Sequence, residues 1–403
     1  MLTYAEAIKL VLTHISPLPP VEKHLDTACG LVLAEDVHAR WAQPPADNSA
    51  MDGFAFNFAA CAGLETLPVV GQSYAGHPFD GPVPEGVAIR IMTGAPLPEG
   101  VDTVVPLEDV VEGPATIQLS RPCHPAQHVR VAGEEFAQGE KLISAGTCLH
   151  AGEIGLLAAA GIVQVRVYPA PRVAVLSTGD ELVELGQPPK AGQIVNSNLH
   201  LLSARLREAG AEVIPLGIAK DNAGDLEQRL TSGLQADLLL TSGGVSMGDR
   251  DHVQEALEGF GFERIFWKVA IKPGKPVLFG KIGRLPVLGL PGNPAASAAT
   301  CEIFALPAVR KLGGQPQPLA PTLSARLATG IEAGGSRQVF LWGRLHFDAS
   351  AGYIFTPSDR QSSGQMRAML HSGALLPLAA QAAAIEVGAQ VQVLLMRLPG
   401  GAV

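Results

Sequence analysis

The sequence has little positive charge, few cysteines and no long apolar run. Its 403 residues carry a formal net charge of −9, so no basic surface indicates a nucleic-acid partner. The five cysteines lie far apart, without a C-x-x-C pair or a Cys/His ligand spacing, which is typical of reduced thiols. The apolar stretches are too short to span a membrane, and the first residues lack a signal-peptide pattern. We therefore expect a cytoplasmic protein with no membrane and no nucleic-acid partner.

Several familiar catalytic motifs are also missing. The chain has no nucleophile elbow, no Walker lysine and no H-E-x-x-H zinc motif, which disfavours covalent catalysis. Turn-forming residues are abundant instead, because 45 Gly and 32 Pro occur without a fixed period in a chain that is 47% hydrophobic. At 403 residues the chain exceeds the size at which one hydrophobic core stops growing, so we expect roughly two to four domains.

The pattern of apolar residues divides the chain into four expected domains. Residues 1–40 and 137–168 predict one discontinuous linker domain, interrupted by a small β domain at residues 41–136. Strands alternate with helices over residues 169–313, which predicts an α/β domain with a parallel sheet and right-handed crossovers. Short β-rich runs over residues 314–403 predict a separate C-terminal β domain.

Polar motifs follow the strands of the expected α/β domain, at the carboxyl ends where parallel sheets bind ligands. They are Thr178-Gly-Asp-Glu, Lys220-Asp-Asn, Thr241-Ser-Gly-Gly and Pro291-Gly-Asn-Pro. Five carboxylates lie in or beside these motifs and are ligands of the type that Mg²⁺ prefers: Asp180, Glu181, Asp221, Asp249 and Asp251. The alternative is that the Asp residues cap the following helices, and we favour that interpretation for Asp249.

The stretch from Leu238 to Asp251 combines an apolar strand pattern with three glycines and a charged end. Backbone N–H groups freed by such glycines, together with a helix N-terminus, form a seat for a phosphate or another oxyanion. A glycine-rich turn between strand and helix is the simpler alternative, since many α/β proteins have one.

Other loops carry side chains that could bind a ligand. The loop Pro44–Phe56 is, on its own, better explained as a turn capped by Asn48 and Ser49. The loop Trp267–Pro276 has three lysines and is stiffened by proline, so it could hold a dianion, with solvated surface lysines as the alternative. Further donors could come from Thr93, Arg337, Ser362 and Ser363.

Six motifs follow one another along essentially the whole chain. They are Asp47-Asn-Ser-Ala-Met-Asp-Gly-Phe-Ala, Met92-Thr-Gly-Ala-Pro, Leu176-Ser-Thr-Gly-Asp-Glu-Leu, Thr241-Ser-Gly-Gly-Val-Ser-Met-Gly, Ile271-Lys-Pro-Gly-Lys-Pro and Gly289-Leu-Pro-Gly-Asn-Pro. Each alone is moderately specific, and all six in this order are highly specific. In these motifs the chain resembles the molybdopterin molybdenumtransferases, a family that includes the E domain of gephyrin.

The resemblance implies a fold, a reaction and partners. The fold is a multidomain α/β fold with a central three-layer α/β domain like that of molybdopterin adenylyltransferases and a C-terminal β-barrel-like domain. The linker domain then also serves dimerisation, and the subunit is elongated and homodimeric. The reaction inserts molybdate into the dithiolene of adenylyl-molybdopterin with release of AMP, assisted by Mg²⁺. A molybdopterin adenylyltransferase is the implied upstream partner.

The resemblance also implies roles for individual residues. The groups around nucleotide and metal are Asp52, Thr93, Glu181, Asp221 and Asp251, with Glu181, Asp221 and Asp251 as the Mg²⁺ ligands. The phosphate part of the substrate is seated by Ser242, Gly243, Gly244 and Ser246. The pterin and molybdate side is formed by Lys268, Lys272, Lys275, Pro276, Arg337 and Ser362, and Asn293 is a further substrate-binding residue.

Three positions depart from the family pattern. Glu135 stands where an Asp is usual, His252 where a Tyr is common, and Ala296 where a Ser often follows the Pro-Gly-Asn-Pro turn. The missing serine belongs to the family's oxyanion site, and Ser297 lies about 100° further round a helix. The preference between molybdate and tungstate therefore stays open at this point.

Two other functions also stay open. A molybdopterin adenylyltransferase would share the phosphate-seat motif, but the flanking β domains and the Asp52 loop argue against it. A gephyrin-like scaffold that binds a partner peptide is the other alternative, and the retained acidic and basic site residues favour an enzyme over a pure scaffold.

Overall fold

The fold comes from a computed structural model that describes residues 1–245 and 252–398. The chain forms two compact units. The larger unit comprises Met1–Val21, Gly30–Ala34 and Tyr168–Val403, and the smaller unit comprises Glu22–Cys29 and Glu35–Val167. The predicted positions Ser246, Asp249 and Asp251 lie outside the described residues. Within the described ranges, no helix is both long and apolar enough to cross a membrane.

The first part of the chain contains mainly short strands. In chain order its elements are α1 (Tyr4–Thr13), β1 (Val21–His24), β2 (Val32–Leu33), β3 (Val37–His38), β4 (Asn48–Ser49), β5 (Gly53–Phe56), β6 (Thr66–Ser73), β7 (Ala88–Ile91), β8 (Thr103–Pro106), β9 (Val110–Glu112), β10 (Thr116–Leu119), β11 (Val129–Arg130), β12 (Lys141–Ile143), α2 (Ala151–Ala159) and β13 (Gln164–Tyr168).

A six-stranded sheet in the order β8-β5-β7-β6-β10-β9 is the core of the smaller unit. Its strand β5 is buried along its whole length. Alternate side chains of a strand point to opposite faces, so Phe54 and Phe56 enter one apolar cluster while Ala55 enters another. The predicted β-rich character of this region is therefore realised as a sheet with an apolar core on each face.

Helix α1 packs into the core of the larger unit. Thr3 and Glu6 form a capping box at its first turn, which satisfies two backbone N–H groups. The ring of Tyr4 makes edge contacts with Phe304 and Phe340, at centroid distances of 5.6 and 5.2 Å. Burial raises the pKa of the Tyr4 hydroxyl to about 12. This packing explains why a ten-residue helix, too short to be stable alone, forms here.

The middle of the chain alternates strands and helices as predicted. Its elements are β14 (Arg172–Thr178), β15 (Leu182–Val183), β16 (Ile194–Val195), α3 (Ser197–Glu208), β17 (Glu212–Ala219), α4 (Ala223–Gly233), β18 (Leu238–Ser242), α5 (His252–Gly259), β19 (Phe262–Trp267), β20 (Ile271–Lys272), β21 (Leu278–Ile282), β22 (Leu285–Leu290), α6 (Pro294–Thr300), a π-helical turn (Cys301–Ala305) and α7 (Leu306–Leu312).

Six of these strands form one sheet in the order β17-β14-β18-β22-β21-β19. The four strands from β17 to β22 run parallel, whereas β21 and β19 continue the sheet antiparallel. Strand β18 is buried throughout. A strand covered by helices on both faces is apolar on both, which accounts for its unbroken run of leucines. The parallel α/β sheet predicted from the sequence is confirmed, with an antiparallel edge added.

The C-terminal strands close into a barrel. They are β23 (Thr322–Leu327), β24 (Gln338–Asp348), β25 (Gly352–Pro357), β26 (Ala374–Leu378) and β27 (Gln390–Leu395). The order β24-β25-β23-β27-β26 is completed by pairing of β26 with β24, so five strands form a ring. Strand β20 of the preceding region adds to the outside of β24. The multidomain α/β fold with a C-terminal barrel is therefore confirmed.

Candidate active site

A cavity of about 1080 Å³ lies at the carboxyl ends of the parallel strands in the larger unit. Parallel strands bring their carboxyl ends to one edge of the sheet, so motifs that are distant in sequence meet there. Ten of the predicted site residues line this cavity: Glu181, Asp221, Ser242, Gly243, Gly244, Lys272, Pro276, Asn293, Arg337 and Ser362. The cavity therefore collects the acidic, glycine-rich and basic motifs in one place.

Four predicted site residues that the structure describes are not among the cavity's lining. Lys268 and Lys275 lie in the same unit, and Asp52 and Thr93 lie in the smaller unit. Two further predicted residues, Ser246 and Asp251, lie outside the described residues. The ammonium group of Lys268 lies 3.6 Å from the centre of the Trp267 ring, a cation–π contact, and its backbone has a φ of 68°. The carbonyl oxygen of Lys275 accepts hydrogen bonds from the N–H groups of Val269 and Val277.

The glycine-rich turn is packed closely against the end of β14. A Cβ atom on Gly243, where φ is 95°, would lie 2.7 Å from the carbonyl oxygen of Thr178, and one on Gly244 would overlap Val253. Both glycines are therefore required by steric contact as well as by positive φ. The N–H of Gly243 donates to the carbonyl oxygen of Leu290, so this particular amide is already used and is not free for an anion.

Two carboxylates stand at the acidic rim of the cavity. The N–H of Asp221 donates to Asp180 Oδ1 over 3.2 Å, which fixes the backbone, while the Asp221 side chain remains exposed. The cap of α4 is supplied by Asn222, whose side chain accepts from the N–H of Asp225. Helix capping, the alternative weighed from the sequence, therefore does not account for Asp221. Glu181 is also exposed and lines the same cavity.

The acidic rim fits Mg²⁺ as part of a substrate complex. In the part of the chain that the structure describes, no group of three or more His, Cys, Asp or Glu side chains is placed to hold a metal ion. Mg²⁺ typically takes one or two carboxylates, completes its shell with water and substrate phosphate, and needs no all-protein cage. The two carboxylates of Glu181 and Asp221 beside the glycine-rich turn match that donor set.

Two cationic residues, Lys272 and Arg337, form one wall of the cavity because a strand of the α/β region pairs with a strand of the barrel. Strand β20 pairs in parallel with β24, with Lys272 opposite Val339. Arg337 immediately precedes β24, and its Nη1 donates to the carbonyl oxygen of Ile271 over 3.1 Å. Lys272 and Arg337 both line the cavity as a result. Two cations on neighbouring backbones form a wall suited to a dianion.

The start of α6 is joined to the loop that carries Ser362. The carbonyl oxygen of Ser363 accepts from the N–H groups of Ala295 and Ala296 over 2.8 and 3.3 Å, and Asn293 Nδ2 donates to Ser363 Oγ. Ala296 lines the cavity, whereas Ser297 does not and is fully buried. Ser297 Oγ lies 3.4 Å from Ser242 Oγ instead. Ser297 therefore does not take the place of a serine at position 296.

Sequence reasoning missed Asn196 and Asn198 and gave no role to Ser177 and Thr178, although both stand in one of the six motifs; these four residues form a polar wall of the same cavity. Four polar atoms of lining residues are buried and have no hydrogen-bond partner among the described residues: Ser177 Oγ, Thr178 Oγ1, Asn196 Nδ2 and Asn198 Oδ1. A buried polar atom left unpaired costs about 1–3 kcal/mol, so such a wall requires water or a ligand. The available sequence signal was the position of these residues, at the end of β14 and the start of α3.

The smaller unit carries its own polar sites. The N–H and Oγ1 of Thr93 donate to Asp52 Oδ1 over 2.7 and 2.8 Å, and these bonds, the backbone bond first, hold the pKa of that carboxyl below its usual range. A second cavity, of about 420 Å³, is lined by residues that include Asn48, Arg130 and Glu135. The predicted pair Asp52 and Thr93 is thus brought together by the fold.

Fold and site define a multidomain α/β protein whose cavity combines carboxylates, a glycine-rich turn and cations. Three family models match the chain: the MoeA N-terminal region (domain I and II) over residues 2–161, a probable molybdopterin binding domain over residues 174–311, and the MoeA C-terminal region (domain IV) over residues 324–396. The molybdopterin molybdenumtransferase of Haemophilus influenzae is 40% identical over 333 residues, which are 82% of each chain. That of Nostoc is 36% identical over 394 residues, 94% of this chain and 90% of the relative.

Solved structures agree with these sequence relatives. Two crystal structures of the molybdopterin biosynthesis MoeA protein from Pyrococcus horikoshii superpose with TM-scores of 0.85 and 0.82, at 28% and 26% identity. They cover 99% and 98% of this chain and 100% of their own. The chain belongs to the MoeA family of molybdopterin molybdenumtransferases, which are transferases of molybdenum cofactor biosynthesis.

Proposed function

We propose that the chain inserts molybdate into the dithiolene of adenylyl-molybdopterin and releases AMP in a Mg²⁺-dependent reaction. The observation that carries this proposal is the single cavity that holds two carboxylates, the glycine-rich turn and the Lys272–Arg337 wall. These three parts match the three parts of the reaction: a metal, a phosphate and a dianionic oxyanion. The names of the relatives support the same substrate class.

Each part of the cavity has a role in this reaction. Lys272, Arg337 and Ser362 hold molybdate by charge-assisted hydrogen bonds, next to the dithiolene that it joins. Ser242 and the backbone of the glycine-rich turn after Gly243 seat the phosphate, because the Gly243 N–H is already bonded to Leu290. Glu181 and Asp221 would hold Mg²⁺, which would supply charge neutralisation at the departing phosphate. Catalysis is then mainly positioning and electrostatic stabilisation.

The remaining predicted residues complete the proposal. Asp251 is proposed as a third Mg²⁺ ligand, and Ser246 as a further part of the phosphate seat. Further contacts to pterin, molybdate or nucleotide are assigned to Pro276, Asn293, Lys268, Lys275, Asp52 and Thr93.

The proposal also includes the organisation of the protein. The subunit has four domains with the bounds predicted from the sequence, and the family model that covers two domains over residues 2–161 supports this division. Helix α1 lies in the larger compact unit and residues 22–29 in the smaller one, so the N-terminal segment contributes to both. We further propose a cytoplasmic homodimer that receives its substrate from a molybdopterin adenylyltransferase.

The direct test is the dependence of AMP release on molybdate. Purified protein is mixed with adenylyl-molybdopterin, and AMP is measured with and without molybdate and Mg²⁺. We expect AMP release only when both are present, because the oxyanion and the metal complete the charge pattern of the cavity. Removal of Mg²⁺ with EDTA is expected to stop the reaction, and added Mg²⁺ to restore it. Equal AMP release without any oxyanion would contradict the proposed coupling.

The oxyanion preference can be tested at Ala296. Replacing Ala296 with serine adds a hydroxyl donor to the cavity wall, and we expect molybdate binding to tighten by about threefold to tenfold. The measurement is the molybdate and tungstate concentration that gives half-maximal AMP release. Ala295→Ser is the matched control, because Ala295 is on the same helix, is 1% exposed and does not line the cavity. An unchanged ratio of the two concentrations in both variants would make position 296 neutral for oxyanion choice.

A further inference from the structure

The side chain of Asn198 lies in the cavity wall on the first turn of α3 and joins two loops of the site. Its Nδ2 donates to Ser242 Oγ over 2.8 Å and to the carbonyl oxygen of Gly292 over 2.7 Å. Ser242 ends β18, and Gly292 lies in the turn before α6. One amide group therefore links the glycine-rich turn to the Pro-Gly-Asn-Pro turn.

The orientation of this amide is fixed by its partners. A carbonyl oxygen can only accept, so the group that faces Gly292 must be the NH₂. The opposite orientation would place Asn198 Oδ1 against the carbonyl oxygen of Gly292, so two acceptors would meet and that hydrogen bond would be lost. Asn198 Nδ2 therefore donates to Ser242 Oγ, and the side chain cannot turn to accept a hydrogen bond from Ser242 instead.

This fixed donor determines what the Ser242 hydroxyl can do. Because Nδ2 can only donate, the Ser242 oxygen accepts from it, and the single hydroxyl hydrogen of Ser242 is left for another acceptor. Ser297 Oγ is one candidate, but its distance of 3.4 Å is long for an O–H···O bond. Ser242 lines the cavity, so an oxyanion bound there offers a better acceptor.

We propose that Asn198 is a positioning residue that orients the Ser242 hydroxyl as a hydrogen-bond donor to a phosphate oxygen in the cavity. Asn198 also holds the turn that precedes α6 against the glycine-rich turn, so both loops keep their places around the anion. Only the identity of that anion rests on the proposed function, because any oxyanion bound in the cavity could accept this hydrogen bond.

A double-mutant cycle on the full chain tests whether Asn198 acts through Ser242. The dissociation constants of AMP and of inorganic pyrophosphate are measured by calorimetry for wild type, Asn198→Ala, Ser242→Ala and the double variant. We expect each single variant to weaken binding about tenfold, the effect of one charge-assisted hydrogen bond. The double variant is expected to lose about tenfold as well, since the second change removes a bond that the first has already disabled.

A second variant, Asn198→Asp, keeps the size of the side chain but replaces its NH₂ donor with an acceptor oxygen. Asn198→Asp places a carboxylate beside Ser242, so the hydroxyl turns to donate to it and faces away from the anion. We expect binding to weaken more than in Asn198→Ala. Asn57→Asp is the matched control, because Asn57 Oδ1 only accepts from the N–H of Ala60 in the smaller unit and an aspartate keeps that bond. Binding by the control is expected to equal that of wild type.

Three results would overturn the role of Asn198. The first is an additive loss of about 100-fold in the double variant. The others are an Asn198→Asp variant that binds as well as the unmodified protein, or an unmodified protein that binds neither AMP nor pyrophosphate. If Asn198→Ala fails to fold by circular dichroism, the binding of Asn198→Asp decides. Coupled losses with both probes in a protein that releases no AMP from adenylyl-molybdopterin would reject the proposed function and retain the positioning role. The two proposals therefore fail in different experiments.

Discussion

Replacing Asp221 with asparagine is expected to slow AMP release by about 100-fold or more without disturbing the fold. The Asp221 side chain is exposed at the cavity rim, and the cap of α4 comes from Asn222, so its carboxylate is not needed for structure. Asparagine keeps the shape but removes the negative charge that would hold Mg²⁺ against the phosphate. The measurement is the AMP release rate as a function of Mg²⁺ concentration. We expect the variant to need much more Mg²⁺.

The control for this variant is an aspartate at the other end of the same sheet. Asp237 precedes β18, and its Oδ2 accepts from the N–H of Arg172 over 2.7 Å. Asp237→Asn changes the net charge equally, so any general effect of charge on substrate attraction would appear in both variants. We expect the control to retain most of its activity. If Asp221→Asn turned over as fast as the control, with the same Mg²⁺ dependence, Asp221 would be removed from the site.

Replacing Glu302 with alanine is expected to destabilise the protein by about 3–5 kcal/mol. Glu302 is 7% exposed and receives two hydrogen bonds from the guanidinium of Arg205, which is 18% exposed. Burial alone would lower the pKa of Arg205, but the hydrogen bonds that it donates to Glu302, together with the negative charge of Glu302, outweigh burial, so the net shift is upward. Without Glu302 the guanidinium would lose its buried counter-charge and keep only the exposed carboxylate of Glu208, 3.3 Å away. The measurement is urea unfolding of the full chain, followed by tryptophan fluorescence.

An exposed ion pair provides the matched comparison. Arg90 and Glu112 lie 2.9 Å apart on the smaller unit with 35% and 46% of their side chains exposed. Glu112→Ala is therefore expected to cost at most about 1 kcal/mol. A joint replacement of Arg205 with methionine and Glu302 with leucine should recover most of the lost stability, because neither charge of this pair is then left buried without the other. Equal losses for Glu302→Ala and Glu112→Ala would show that the buried pair does not stabilise the fold in this way.

The local sequence determined the α/β region and the edge at which the site lies. The run Leu238-Leu-Leu is apolar on every residue, which is typical of a strand covered on both faces, and it forms the buried strand β18. Asn196 and Gly210 bound a helix because an Asn side chain caps a first turn and a glycine accepts positive φ after the last one. Since parallel strands share one carboxyl edge, the polar motifs after these strands could be placed together from the sequence.

Contacts between distant segments were decided only by the tertiary structure. The pairing of β20 with β24 sets Lys272 beside Arg337, and no local pattern specifies that a two-residue strand joins a barrel. The three lysines of one loop separate for a related reason: Lys272 lines the cavity, whereas the Lys268 ammonium group lies on the ring of Trp267. Side-chain direction depends on backbone dihedrals and neighbours that a linear motif does not contain.

The sequence by itself therefore determined the family resemblance, the alternation of strands and helices in the α/β domain, and ten residues of one cavity. The tertiary structure alone decided that Asn198 bridges Ser242 and Gly292 and that Ser297 is turned away from the position of Ala296. The physical reason is that periodicity and turn chemistry act over a few residues. The hydrogen bonds of Asn198 join residues 44 and 94 positions apart, whose meeting depends on the packing of the whole domain.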